Sequence, residues 1–255
     1  MATLLRYPGG KSRNPIRSII VNHIIERFEG GVFGELFFGG GGITISLLKK
    51  GVLTNLVICE KDAGLSKLWW SVIHGPSHLL KRIKEFEPSV DSFFDAKDKL
   101  LRGVGTGFDA LVANRLSHCG RGVMAGPQGG NNQTGKHKIG CRWKSSQLDS
   151  TVRGLNELFG TVNVRICNTS YLDCGGCDYL YMDPPYWEVG SGLYQHSFKP
   201  LDHSLLLAYL HGQPRWLLSY NNHPTIHAIY EGFEMMTAKT SGNGGLKDNE
   251  LLIWK

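Results

Sequence analysis

Apolar residues recur along the chain with two periods, and the change from one period to the other separates helices from strands. Stretches with the helical period cover residues 15–28, 43–50, 63–74, 77–86, 151–159, 203–210 and 224–230. Short apolar runs typical of buried strands cover residues 32–37, 55–60, 162–167, 179–182, 216–220, 233–238 and 251–254. Strands that alternate with helices predict a doubly wound α/β sheet, and we expect its last two strands to be antiparallel.

The region between residues 87 and 148 departs from this pattern. Charged helical segments come first, and residues 120–144 are rich in Gly, Asn, Gln, Lys and Arg with little apolar periodicity. We therefore predict an α/β catalytic domain made of residues 1–86 and 149–255, and an inserted, largely helical subdomain made of residues 87–148.

Composition narrows the class of protein. The 255 residues carry 28 Lys and Arg against 22 Asp and Glu, a formal charge of +6, and 41% of them are hydrophobic. Such a chain can form a large folded domain, and it lacks the run of about 18 apolar residues that a membrane helix needs. No signal peptide is visible, and the six cysteines are too sparse for a disulfide scaffold, so we expect a cytoplasmic protein with reduced thiols.

Glycine is abundant and clustered in loops, with 33 residues in the chain. Glycine-rich loops on a basic protein suggest contacts with phosphate, nucleotide or nucleic acid, although a charge of +6 that only keeps the protein soluble is an equal alternative.

Two features follow the first two predicted strands. Phe38 precedes a run of glycines from Gly39 to Gly42, where the backbone can approach a ligand and the next helix begins. Glu60 ends the second strand, where dinucleotide-binding folds place a carboxylate on a ribose. Together they predict a cofactor that contains adenosine. A glycine turn needed only for packing is the alternative, and the missing Gly-x-Gly-x-x-Gly pattern disfavours a dehydrogenase.

The most specific short motif is Asp183-Pro184-Pro185-Tyr186, which ends a predicted strand. Asp183 and the rigidly held carbonyl of Pro184 can both accept hydrogen bonds from an amino group, and Tyr186 offers a stacking face. An amino group on a planar base fits such a site. The alternative is a simple proline turn with Tyr186 in the core.

Six motifs in this order resemble those of the Dam-type DNA adenine-N6 methyltransferases. They are Leu5-Arg6-Tyr7-Pro8-Gly9-Gly10-Lys11-Ser12, Glu35-Leu36-Phe37-Phe38-Gly39-Gly40-Gly41, Glu60, Asp183-Pro184-Pro185-Tyr186, Leu218-Ser219-Tyr220-Asn221 and Glu250-Leu251-Leu252-Ile253. The resemblance covers residues 5–75 and 160–255. It implies a Rossmann-like seven-stranded S-adenosylmethionine-dependent methyltransferase sheet and the transfer of a methyl group to N6 of adenine in DNA after base flipping.

The resemblance also implies roles for individual residues. Catalysis is expected from Asp183, Pro184 and Tyr186, with no metal ion. Binding of S-adenosylmethionine is expected from Tyr7, Lys11, Glu35, Phe38, Gly39, Gly41, Glu60, Tyr171 and Asp183, with Lys11 facing the cofactor carboxylate. The chain departs from the family at three positions, where it has Leu36 for the usual Pro, Glu60 for Asp and Ser170 for Asp.

Double-stranded DNA is the expected partner, with no membrane and no obligate protein partner, in a bacterial or phage setting such as restriction-modification. The inserted region would be its target-recognition region. DNA contacts are expected from Asn114, Arg115, Arg121, Lys136, Lys138 and Arg142. A solvated basic loop is the alternative for each of them, and the residues around the two first arginines do not assign GATC as the site.

Other interpretations remain open at this level. A cytosine-N4 DNA methyltransferase would keep the fold and usually carry Ser at position 183, and a catalytically silent DNA-binding relative would keep the fold alone. Zinc is a further alternative, since residue types that bind it occur in Cys174 and Cys177 and in His118, Cys119, His137 and Cys141. We expect thiols in a glycine turn for the first pair and no metal ion.

Overall fold

The structure is a computed structural model that describes residues 4–6, 10–11, 15–187, 198–239 and 249–255. Tyr7 lies outside the described residues, so its role in cofactor binding stays a prediction. Internal contacts divide the chain into two compact units, each made of two separate segments. Unit 1 comprises residues 1–9 and 62–161, and unit 2 comprises residues 10–61 and 162–255.

Unit 2 is built on a seven-stranded sheet. The strands are β1 (Val32–Glu35), β2 (Asn55–Cys59), β3 (Asn163–Cys167), β4 (Tyr179–Met182), β5 (Trp216–Asn221), β6 (Glu234–Lys239) and β7 (Asn249–Trp254). Their spatial order is β3-β2-β1-β4-β5-β7-β6, and only β7 runs against the others. The predicted α/β sheet and its antiparallel closing pair are confirmed.

The central strands are largely apolar and buried because both faces of the sheet are covered. Phe33, Ile58, Leu180 and Leu217, one from each of four neighbouring strands, are fully buried. Four helices belong to the same unit: α1 (Ile16–Arg27), α2 (Gly42–Lys49), α8 (Pro200–His211) and α9 (Pro224–Ile229).

The strand order reverses between β1 and β4, which lie side by side although most of the chain's first two thirds separates them. Ligands of open α/β sheets bind beyond the carboxyl ends of the strands at such a reversal. In this chain the glycine loop follows β1 and the Asp-Pro-Pro-Tyr motif follows β4. The topology therefore brings the two strongest motifs to one edge of the sheet.

Unit 1 is helical. Its α-helices are α3 (Ala63–His74), α4 (Pro76–Glu85), α5 (Val90–Leu101), α6 (Gly107–Leu116) and α7 (Ser145–Phe159), with short 3-10 turns between α6 and α7. Every residue of α6 except Arg115 is buried. A Cβ at Gly107 would lie 2.6 Å from the backbone of Leu68, so the missing side chain permits the close packing of α6 on α3.

The division into units also places α3, α4 and α7 with the inserted region. The assignment of residues 87–148 to target recognition stays a prediction. None of the helices in the described part of the chain has the length and apolar character needed to cross a bilayer.

Candidate active site

The Asp-Pro-Pro-Tyr segment begins directly after β4 and is anchored at its far end by Asn221. The two prolines end the strand because proline cannot donate to the sheet ladder. The side chain of Asn221 accepts a hydrogen bond from the Trp187 amide over 3.0 Å and donates one to the Trp187 carbonyl over 3.2 Å. The segment from Asp183 to Tyr186 is thus held between a central strand and the end of β5.

Asp183 is held through one of its two carboxylate oxygens. Its Oδ1 accepts hydrogen bonds from Lys11 Nζ over 2.8 Å and from Ser219 Oγ over 2.9 Å. Within the described residues no hydrogen bond engages Oδ2, and 20% of the side chain is exposed. One oxygen is therefore fixed by the protein and the other is available to a ligand.

A buried ionic network surrounds Lys11. Its Nζ lies 2.8 Å from Asp183 Oδ1 and 3.1 Å from Glu250 Oε1. Nζ also donates a hydrogen bond to Tyr186 Oη, which in turn donates to Glu250 Oε1. Burial lowers the pKa of Lys11, but the two carboxylates outweigh burial and raise it to about 12. Lys11 is therefore charged at neutral pH.

Glu250 responds to the same surroundings in the opposite way. Burial raises the pKa of Glu250 above its ordinary value, and the charge of Lys11 together with hydrogen bonds from Lys11 and Tyr186 opposes that shift. The network holds one ammonium and two carboxyl groups, with the hydroxyl of Tyr186 between them.

The resemblance predicts that Lys11 faces the cofactor carboxylate, whereas the structure places its ammonium on Asp183, Glu250 and Tyr186. Ser219 and Glu250 are site residues to which the motifs alone assigned no role. The antiparallel pairing of β5 with β7 sets Glu250 opposite Asn221 and so brings the start of β7 to the end of β5. A sequence signal did exist, since both residues lie in motifs shared with the family, but their contacts depend on strand order.

The glycine loop is tightly wound around Phe38. Gly39 and Gly41 have left-handed backbones with φ of +47° and +62°. A Cβ at Gly41 would lie 2.6 Å from the Phe38 ring, which is buried. Phe38 therefore fills the inside of the loop, and the peptide groups of Gly39 to Gly42 lead into the start of α2.

Two buried carboxyl groups hold this loop and the helix after it. Glu60 accepts a hydrogen bond from the Gly39 amide over 2.8 Å. Glu35 accepts hydrogen bonds from both the amide and the hydroxyl of Thr44, in the first turn of α2. Burial raises the pKa of Glu35 to about 8, although the bonds from Thr44 favour ionisation. Both residues lie where the motifs place the cofactor, and their roles in binding it stay predictions.

Tyr171 follows β3 in a short 3-10 turn, at the third strand end of this edge. Its ring packs against Phe37, with centroids 5.3 Å apart, and against Tyr209, with centroids 5.4 Å apart. The ends of β1, β2, β3 and β4 thus carry, within unit 2, a glycine loop, two buried carboxyls, an aromatic wall and Asp183.

The residues predicted to contact DNA lie in unit 1 and differ in their surroundings. Asn114 is buried, and its amide makes three hydrogen bonds of 2.9 Å each, to the Arg6 amide, the Arg6 carbonyl and the Gly120 carbonyl. Arg115 Nε donates to the Leu4 carbonyl over 2.9 Å. Burial, reinforced by the charges of Arg6 and Arg142, lowers the pKa of Arg115 to about 10.

The other predicted contacts are closer to solvent. Lys136, Lys138 and Arg142 are exposed, and Arg121 is half-buried. Contact of these side chains with nucleic acid stays a prediction. Among the residues that the structure describes, no group of three or more His, Cys, Asp or Glu side chains is placed to hold a metal ion, and Cys174 and Cys177 are buried free thiols.

No protein-family model and no curated protein matches the chain. Solved structures do match. A protein of Haemophilus influenzae described as a candidate methylase covers 94% of this chain and 88% of its own, with 10% identity and a TM-score of 0.38. A Streptococcus pneumoniae protein described as a candidate tRNA (m1A22) methyltransferase covers 92% and 68%, with 10% identity and a TM-score of 0.39. Precorrin 8w decarboxylase of Methanobacterium thermoautotrophicum covers 98% and 96%, with 10% identity and a TM-score of 0.39.

The strand order and the reversed β7 make a Rossmann-like, seven-stranded α/β sheet, and the predicted fold class is confirmed.

The predicted reaction, site-specific methylation of adenine N6 in DNA, is wrong by these comparisons and is withdrawn. The three similar structures are described as a methylase, a tRNA methyltransferase and a precorrin decarboxylase, and none of these three is a DNA methyltransferase. The two alternatives, a cytosine-N4 DNA methyltransferase and a silent DNA-binding relative, also assume DNA and are withdrawn together with this reaction. Base flipping and a role in restriction-modification gain no support. The physical reason is that the predictions drawn from the glycine loop and the Asp-Pro-Pro-Tyr motif concern a cofactor and an amino group, not the molecule that carries the amino group.

Proposed function

We propose that this protein is an S-adenosylmethionine-dependent N-methyltransferase whose acceptor is an amino group on a planar heteroaromatic ring. The observation that carries the proposal is the arrangement of Asp183 at the end of β4. Its Oδ1 is held by Lys11 and Ser219, which leaves Oδ2 to accept a hydrogen bond from the acceptor amine.

The edge of the sheet suits the cofactor chemically. The glycine loop allows its backbone to approach the methionine part, Glu60 offers a carboxylate for ribose hydroxyls, and Tyr171 contributes an aromatic surface for adenine. When bound, the cofactor supplies a methyl group on a positively charged sulfur. The carbon–sulfur bond breaks on transfer, and the sulfur keeps its electron pair and becomes neutral.

The residues of the motif would orient the acceptor. Asp183 Oδ2 and the Pro184 carbonyl accept the two amino hydrogens, which weakens the conjugation of the nitrogen lone pair with the ring. Pro184 is buried, its φ is fixed by its own ring and its ψ is restricted by the following Pro185, so the carbonyl direction is set in advance. Lys11 and Glu250 hold the hydroxyl of Tyr186, which fixes the aromatic ring before the acceptor arrives.

The charge state of the site favours an aromatic amine over an alkyl amine. An alkyl amine has a pKa of about 10 and is protonated at neutral pH, so its lone pair is not available. Removing that proton requires a base with a comparable pKa, such as an uncharged lysine. Lys11 is charged, and the other groups around Asp183 in the described residues are hydroxyls and the carboxyl group of Glu250, which is a much weaker base. An amino group on a heteroaromatic ring is neutral and needs no such base.

The test is a methyl-transfer assay with purified protein and cofactor labelled in the methyl group. Acceptors are aminopurine and aminopyrimidine nucleosides, RNA, unmethylated DNA and an alkyl amine, and mass spectrometry locates the methyl group. We expect the label on a ring amino nitrogen. Label on carbon, oxygen or the alkyl amine, or no transfer to any acceptor under saturating cofactor, would contradict the proposal.

Asp183→Ala sharpens the test. We expect it to lower kcat by about 100-fold or more, because it removes an acceptor aligned with the reacting nitrogen, while the protein stays folded. Asp91→Ala, at an exposed position in the first turn of α5, is the matched control and should leave activity unchanged. Near-normal transfer by the Asp183 variant would refute the assigned role.

A further inference from the structure

We infer that Glu250 and Ser219 are positioning residues that set the orientation and the net charge of Asp183 for attack by the acceptor amine. This inference rests on the proposed N-methyl transfer. Both are buried polar groups at strand positions, where apolar residues are the rule, and both contact the same small cluster.

The orientation of Asp183 comes from a directed chain of hydroxyl groups. Tyr181 is fully buried in β4, and its hydroxyl lies 3.0 Å from Ser219 Oγ. Burial raises the pKa of Tyr181 well above its ordinary value, so it keeps its proton and can donate it to Ser219. Ser219 can then direct its own proton to Asp183 Oδ1, 2.9 Å away. Since Lys11 binds the same oxygen, the carboxylate is fixed with Oδ2 as the free acceptor.

The net charge comes from Glu250. Lys11 alone beside Asp183 would form a neutral pair and weaken Asp183 as an acceptor. Glu250 Oε1 lies 3.1 Å from the same ammonium. Burial raises the pKa of Glu250, and Lys11 opposes that shift. With Glu250 ionised, two carboxylates share one cation and the cluster carries an excess negative charge. As the acceptor nitrogen forms its bond to the methyl carbon, it gains a positive charge. A preorganised negative cluster stabilises that charge, most strongly where water is excluded.

The same cluster can accept the proton that the nitrogen must lose after methyl transfer. The methylated nitrogen carries two hydrogens in place of the one that the neutral product retains. The extra proton passes from nitrogen to Asp183 Oδ2, whose side chain is 20% exposed, and from there to solvent. Glu250 keeps Lys11 from neutralising Asp183 during this step, and it does so without touching the acceptor itself.

The decisive variant is Glu250→Gln. The amide oxygen of Gln can still accept the hydroxyl of Tyr186, so the ring stays oriented while the negative charge is lost. We expect kcat to fall about 10-fold or more, with the KM for the acceptor and the Kd for the cofactor within about twofold of wild type. Glu234→Gln on neighbouring β6 is the matched control, because it removes a carboxylate that accepts from Trp254 outside the site.

Ser219→Ala tests the orientation separately. It removes the hydroxyl that holds Oδ1 and leaves the charges in place, so we expect a loss in kcat of about 10-fold without a change in cofactor affinity. Unchanged kcat in both Glu250→Gln and Ser219→Ala, in an enzyme that transfers methyl groups normally, would overturn the inference while leaving the proposed function intact.

A second measurement does not depend on activity. NMR of protein labelled at lysine side chains follows the ionisation of Lys11, whose pKa is raised to about 12 by Asp183 and Glu250 against the effect of burial. We expect Glu250→Gln to lower this pKa, because one of the two carboxylates is gone, and Glu234→Gln to leave it unchanged. An unchanged Lys11 pKa in Glu250→Gln would show that Glu250 does not share its charge. Failure of wild-type transfer, by contrast, would refute the proposed function itself.

Discussion

Glu35 is a buried carboxyl at the end of β1, and its ionisation links the stability of the fold to pH. Burial raises its pKa from an ordinary value of 4.5 to about 8. Between those values the folded protein binds a proton that the unfolded chain has lost. The stabilising contribution is therefore complete below pH 4.5 and is lost as the pH rises through 8.

Glu35→Gln should remove this dependence, because an amide can accept the hydrogen bonds of Thr44 without titrating. We expect the Tm of wild type to fall relative to that of the variant as the pH rises from about 5 to about 8. Differential scanning calorimetry at constant ionic strength measures the two curves, with Glu234→Gln as an exposed control. Parallel curves for wild type and Glu35→Gln would show that Glu35 does not take up a proton on folding in this range.

At the residue scale, local chemistry predicted part of the candidate site and missed another part. Asp183 and Tyr186 are recognisable because the motif places an acceptor, two prolines and an aromatic ring in four consecutive positions. Ser219 and Glu250 also lie in motifs of the resemblance, but their residue types indicate no role, since a serine in one strand and a glutamate in another are common. Their importance arises from contacts between strands that are distant in sequence.

Among the elements, the turn between β1 and α2 has a backbone conformation that requires glycine. Gly41 and Gly51 both have left-handed backbones, with φ of +62° and +66°, and they flank the same helix. They differ in the space around them. A Cβ at Gly41 would meet the Phe38 ring at 2.6 Å, whereas a Cβ at Gly51 would meet nothing within 4 Å.

This difference provides a matched pair of variants. Gly51→Ala should cost about 1–2 kcal/mol of stability, the penalty of a left-handed alanine, and leave cofactor binding unchanged. Gly41→Ala carries the same penalty and also displaces Phe38, so we expect a larger loss of stability together with weaker cofactor binding. Thermal unfolding and calorimetric titration with S-adenosylmethionine measure both effects. Equal behaviour of the two variants would mean that the packing of Phe38 does not shape the loop.

The predicted helices and strands agree with the structure in type, but some of their ends differ, because local sequence patterns do not determine where an element stops. β4 and α3 have the predicted ends, whereas β1 stops at Glu35, two residues earlier than expected. Apolar residues continue past that point because Leu36 is buried in the core and Phe37 packs against Tyr171. α7 starts at Ser145, before the first apolar repeat, and the Ser145 hydroxyl donates to the Ile83 carbonyl within unit 1. A tertiary contact thus supports a first turn that periodicity does not indicate.

At the scale of the whole molecule, each unit joins segments that are far apart in sequence. In unit 1 the link is Asn114, whose side chain binds the backbone of Arg6 on one side and of Gly120 on the other. A Cβ at Gly120 would lie 2.4 Å from the Arg6 carbonyl oxygen, so this packing leaves no room for a side chain at position 120. Leu4 and Arg6 are therefore packed into the helical unit.

Asn114→Ala should destabilise the protein, because it leaves buried backbone groups without partners. We expect a loss of about 3 kcal/mol and a decrease in Tm of roughly 6–12 °C. Asn131→Ala, an exposed asparagine of the same unit, should change the Tm by less than about 1 °C. Hydrogen exchange should be faster at the amides of residues 4–6 in the Asn114 variant than in the Asn131 variant. Equal exchange in the two variants would show that Asn114 does not hold residues 4–6 in place.

The sequence by itself determined the alternation of strands and helices, the glycine loop and the Asp-Pro-Pro-Tyr segment, because these follow from periodicity and backbone chemistry over a few residues. Only the tertiary structure decided the partners of Asp183. Lys11 lies 172 positions away from it, and Glu250 joins the cluster because β7 pairs with β5 in the antiparallel sense. Side chains so far apart in sequence meet only when the strand order is set, and strand order reflects the packing of the whole sheet.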